Sequence, residues 1–130
     1  MLQIGRMEIN TPFMNAQDGR MRPTYVEGAL LHLMKHEKFS VDMCYVWRMS
    51  PRSTFQYYLL KDATGIYGQG INTDGSKSNY QSNISTKGFF TAHIFMNPIK
   101  NFQINIWNGY FENVMNTAFL ELKNEIKNNG

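Results

Sequence analysis

"FQINIWNGYFENVMNTAFLELKNEI", residues 102–126, reads as one strand followed by one helix, and that reading sets the fold class. Phe102, Ile104 and Ile106 alternate with Gln103, Asn105 and Trp107, which places the first three inward and the others outward. From about Tyr110 to Asn128 the residues Phe111, Val114, Met115, Ala118, Phe119, Leu122 and Ile126 gather on one broad helical face, wide enough to cover a sheet. Leu120 points away from that face.

Working outward, "GFFTAHIFM" (88–96) puts Phe90, Ala92, Ile94 and Met96 on one strand face, and Asn97-Pro98 begins a turn. In "VDMCYVWRM" (41–49) Val41, Met43, Tyr45, Trp47 and Met49 share one face, and Asp42, Cys44, Val46 and Arg48 the other. A hairpin loop at 50–53 leads into a strand over 54–61, and residues 65–71 form a glycine-laden strand that kinks. Thr24 and Glu27 have capping-box spacing. Val26, Ala29, Leu30, Leu33 and Met34 then recur at helical spacing, predicting a helix over 24–38. The expected fold class is α+β: an antiparallel sheet of four to six strands with two helices packed on one face. Residues 1–23 are an N-terminal arm with a short strand over 2–9, and 24–130 a single α+β domain. Its long polar loop, 72–87, has only Tyr80 and Ile84 as apolar residues. Such length is unusual for a structureless connection and leaves two readings open, a functional segment or a mobile hairpin tip.

Composition fits an ordinary domain: 130 residues, 42% hydrophobic, 14% aromatic and a net charge of +3. The basic residues are scattered, without the density of a nucleic-acid or membrane patch. A single cysteine, Cys44, excludes an internal disulfide framework and suits a reducing compartment. No apolar run approaches the ~18 residues of a helical span, and the N-terminus lacks signal-peptide sections, so no membrane association is expected. The glycosylation pattern at Asn83-Ile84-Ser85 is set aside on the same ground.

No catalytic signature stands out, and the expectation is a non-enzyme without metal or cofactor. His32 and His36 lie four apart on the predicted helix, with His93 on the outward face of its strand. Three imidazoles with an open position would resemble a zinc site. A helix-covered sheet, however, keeps His93 from the other two. Gly65, Gly68 and Gly70 lack the helix start that a phosphate loop requires. Cys44 shares a face with Val46, as a small core residue does. Tyr45 and Trp47, with Arg48, Arg52 and Lys61 close by and Tyr57, Tyr58 and Trp107 near, leave open a single-stranded nucleic-acid platform. The same aromatics serve any sheet core.

The quoted stretch resembles the end of the small tail-completion or tail-terminator proteins of long-tailed bacteriophages. Ile104, Ile106 and Trp107 fill that family's strand positions, and Ala118, Leu120 and Leu122 its helix positions. The helix from Thr24 and the strands at Val41 and Thr54 match its order. The resemblance implies a structural protein of a phage tail or neck, part of the virion and assembled in the host cytoplasm. It would form a homo-oligomeric ring with other tail or neck proteins as partners. Interface candidates are Phe13, Met14, Arg20, Arg22, Lys77, Tyr80, Trp107 and Leu120, several of them apolar residues that a solitary domain would not expose. Two alternatives stay open: the nucleic-acid module, and a phage-type inhibitor of a host protein.

Overall fold

Side-chain alternation runs further along this chain than its sequence suggests. A computed structural model describes residues 1–16, 22–63, 66, 71–76 and 85–124, with residues 35 and 36 by their backbone alone. The strands are β1 (Leu2–Met7), β2 (Tyr25–His36), β3 (Phe39–Ser50), the short β4 (Tyr58–Leu59), β5 (Phe89–Ile99), β6 (Phe102–Phe111) and β7 (Met115–Asn124). One four-residue helix, α1 (Leu60–Ala63), follows β4. The sheet order is β1-β2-β3-β5-β6-β7, with β4 beside the end of β3. Every pairing is antiparallel.

Both expected long helices are strands, and the α+β sandwich is replaced by a nearly all-β sheet. At the first, the backbone N–H of Thr24 donates to the Ala16 carbonyl at 2.9 Å, so it is not held by Glu27 as a capping box requires. Glu27 instead accepts from Trp47 Nε1 on the next strand, at 2.9 Å. At the second, the chain turns at Glu112–Val114. Asn113 takes the left-handed conformation (φ 59°) that asparagine tolerates, and the Val114 N–H closes the turn on the Phe111 carbonyl at 3.0 Å. The hairpin strand expected over 54–61 shrinks to β4 and α1, and β5 continues through Asn97-Pro98 with a register shift between Met96 and Ile99. The kinked strand expected over 65–71 falls almost wholly outside the described residues.

The register sorts side chains onto two faces. One carries Met7, Val26, Cys44, Val46 and Phe89, which with Ile9 and Leu60 form the buried cluster. Residues 8–16 fold back over this covered face, and α1 closes on it by burying Leu60. Phe13 stands edge-on to Phe89, with ring centroids 6.4 Å apart. It fits because Gly109 lies beneath its ring, where a Cβ would come within 2.6 Å of the ring carbons. The opposite, bare face carries the residues expected to point inward, among them Phe90, Ile94, Ile104 and Ile106. Tyr57 and Arg22 cover only its rim, at Arg6 and Tyr25, and Ile106 is exposed.

Candidate functional site

The covered face changes character along its length. Towards the connections at 8–24 and 51–88 it is the apolar cluster. Towards the short turns at 37–38 and 100–101 it carries a polar ladder that crosses five strands. His32 of β2 bonds through Nδ1 to Asp42 of β3. The second oxygen of Asp42 lies 3.3 Å from Nδ1 of His93 on β5. The other ring nitrogen of His93 is 3.0 Å from Asn105 Oδ1 on β6. Asn105 Nδ2 donates to Glu121 of β7 at 3.1 Å, and Lys123 pairs with the same carboxylate at 3.0 Å.

Each link from His32 to Glu121 is a cross-strand or diagonal neighbour on one sheet face, the spacing at which strand side chains meet. Trp107 stacks on the His93 ring, 3.8 Å between centroids and 9° from parallel. Asn105 is buried, whereas His32 and Asp42 are about a third exposed. The row is therefore fixed internally and open to water along its edge.

Above it, Glu8, Ile9, Asn10 and Thr11 roof a cavity of about 190 Å³ over Leu30, Asp42, Cys44, Thr91, His93 and Trp107. The Thr91 hydroxyl faces neither donor nor acceptor among the described residues. Cys44 is a free, buried thiol. Among the described residues no three His, Cys, Asp or Glu side chains group as a metal site. His32 and His93 do meet, through Asp42, because residue 32 lies on a strand rather than on a helix across the sheet. The His36 side chain is outside the described residues.

The expected interface residues scatter. Phe13 and Met14 pack against the buried cluster. Arg22 lies over the rings of Tyr25 and Phe55. Trp107 is in the ladder, and Leu120 is on the bare face, 60% exposed and paired with Ile106. Arg20, Lys77 and Tyr80 lie outside the described residues. Asp42, Asn105, Glu121 and Lys123 were not singled out from sequence. Their signal is that polar residues recur at alternate positions of adjacent strands.

The bare face is the reverse of the ladder. Leu2, Ile4, Leu31, Leu33, Val41, Met43, Ile94, Ile104, Ile106, Leu120 and Leu122 form a band across the strands. Tyr45, Phe90 and Tyr110 stand in register at its edge nearer the long connections. The five longest strands have 10 to 12 residues, the length that crosses a bilayer with tilt.

A family model described as "outer membrane porin, OprD family" matches residues 1–129. No match is found among curated proteins. Among solved structures, Pseudomonas aeruginosa OccD3 (OpdP) is 18% identical, with a TM-score of 0.75 over 99% of this chain and 28% of that one. Pseudomonas aeruginosa OccK8 (OprE) is 15% identical, with a TM-score of 0.72 over 98% and 29%. Pseudomonas aeruginosa OccK3 (OpdO) is 17% identical, with a TM-score of 0.68 over 93% and 29%. The chain thus spans under a third of the solved chains it matches. These findings overturn the phage tail-completion resemblance and, with it, the ring, the tail and neck partners, the virion location and the exclusion of membranes. They also displace the nucleic-acid and host-inhibitor alternatives. No described helix is long and apolar enough to cross a membrane, which says nothing about strands.

Proposed function

This chain belongs to the OprD family of outer membrane porins, and from that premise we propose that its sheet is a section of channel wall. The bare face lies against lipid, and the covered face against a water-filled lumen that small polar solutes cross. The chain is not an enzyme.

The observation that carries this reading is the alternation on β6 and β7. Ile104, Ile106, Leu120 and Leu122 pair on the bare face, while Asn105, Glu121 and Lys123 join on the other. Barrel strands that cross a membrane alternate in this way, apolar outward and polar inward. Tyr45, Phe90 and Tyr110 suit the aromatic girdle at one membrane boundary.

Loop length supplies an orientation. Outer-membrane barrels have short periplasmic turns and longer outer loops, which puts the 8–24 and 51–88 connections outside. Closing the wall requires strands along the free edges of β1 and β7, since unpaired backbone is not tolerated in lipid. In the lumen the ladder offers fixed donors and acceptors, with which a passing solute exchanges the hydrogen bonds it made to water. Single-channel recording of the full-length protein in a planar bilayer tests this. A conductance that changes in Glu121→Ala is expected, and a bilayer that stays silent at every protein dose would contradict it.

A further inference from the structure

A second cavity lies at the rim of the bare face, away from the ladder. It measures about 620 Å³ and is lined by Arg6, Arg22, Pro23, Tyr25, Ser53, Phe55 and Tyr57. Arg6 and Tyr25 share the bare face with Ile4 and Leu31, so the cavity borders the lipid-facing band at the end that carries the long connections. We propose that it holds a phosphate group of an outer-leaflet lipid; this rests on the orientation given above.

The lining has two guanidiniums and no carboxylate. Arg22 makes no ion pair among the described residues, and its Nε is buried without an acceptor. Its guanidinium carbon lies 4.3 Å from the Phe55 ring centre. Arg6 lies 4.2 Å from the Tyr57 ring centre and meets Glu27 through Nε, at 3.5 Å. The acids outside the lining are engaged: Glu27 with Trp47, Arg6 and Arg48, and Glu8 with the Tyr25 hydroxyl. The two walls are tied together, because the Ser53 N–H donates to the Arg22 carbonyl at 3.1 Å.

A guanidinium fork matches two phosphate oxygens, and the rings beneath it fix its plane. A lipid is favoured over free phosphate by the apolar lip. Phe55 is 82% exposed beside the band, where it can meet acyl chains or a sugar face, which a bare ion would not need.

The test uses the full-length protein in detergent micelles, titrated with bis-phosphorylated lipid A, with the same glycolipid stripped of phosphate, and with inorganic phosphate. Saturable lipid A binding is expected, at least ten-fold weaker for the stripped glycolipid and for Arg22→Gln. Equal binding of the two glycolipids, or Arg22→Gln and Arg6→Gln variants that both bind as the parent does, would overturn the proposal. Inorganic phosphate binding as tightly as lipid A would overturn the lipid assignment. Arg6 is 64% exposed, so Arg6→Gln keeps the test informative if the Arg22 variant does not fold. Bilayer conductance is recorded in parallel. A parent protein that conducts but does not bind lipid A rejects this site alone, and one that binds lipid A without conducting rejects the channel instead.

Discussion

Ile104 and Asn105 are neighbours in the chain yet face different solvents. Along β6 and β7 the bare face stacks Ile104 on Leu122 and Ile106 on Leu120, while the covered face joins Asn105 to Glu121 and Glu121 to Lys123. In a water-soluble domain the first set would be the core and the second the surface. Here the aliphatic residues are the uncovered ones, with Leu120 60% and Leu122 58% exposed. Exposed apolar surface on this scale demands a covering. When it recurs at alternate positions across six strands, as from Leu2 to Leu122, a continuous medium fits as the covering better than a partner's patch.

The largest expected effect breaks that medium's preference. Leu120→Arg places a charge in the band and should cost ~2–4 kcal/mol in lipid vesicles, as charged residues do near the midplane of a barrel wall. Phe119→Arg, one residue along but on the water side, should cost no more than ~1 kcal/mol. Denaturant titration in vesicles measures both, and equal costs would erase the distinction between the faces. A smaller effect sharpens the covered side. Asn105→Ala takes one hydrogen-bond partner from His93 and one from Glu121 and should cost ~1–3 kcal/mol, together with a change in conductance.

The smallest belongs to neither face. Asp74, in an exposed turn, accepts from the hydroxyl and the backbone N–H of Ser76, which hold its carboxyl below the usual carboxylate range. A depressed folded-state value means that its contribution is present above the ordinary aspartate range and is lost as pH falls through the folded value. Asp74→Asn should remove this dependence and leave overall stability unchanged. Amide exchange at Ser76, followed from neutral to acid pH, reads it out.

Strands β3, β5 and β6 were legible because each alternates cleanly in sequence. Their sidedness was not. Val41, Met43 and Tyr45 outrank Asp42, Cys44 and Val46 in apolar bulk, and hydrophobicity alone cannot tell a core from a lipid contact. β2 and β7 were misread for a related reason. Val26 and Leu30 face the buried cluster while Ala29, Leu31 and Leu33 face outward, so both faces are apolar and the period of two is masked. What remained matched a helical stripe. No 18-residue apolar run marks such a wall either, since a strand that alternates averages out in any window. Leu120 was the most informative misfit. On a helix it falls on the wrong side, and on a strand it joins the bare face with Leu122. For the ladder, His32 and His93 were noticed as imidazoles, but Asp42 between them became visible only once the register was known.

The central claim is that the two faces meet different solvents, and spin labels placed singly at residues 120 and 121 test it most directly. With the full-length protein in lipid vesicles, the label at 120 should relax with dissolved oxygen and ignore a water-soluble nickel chelate. The label at 121 should do the opposite. Two labels equally open to the chelate, or the reverse order, would contradict the account.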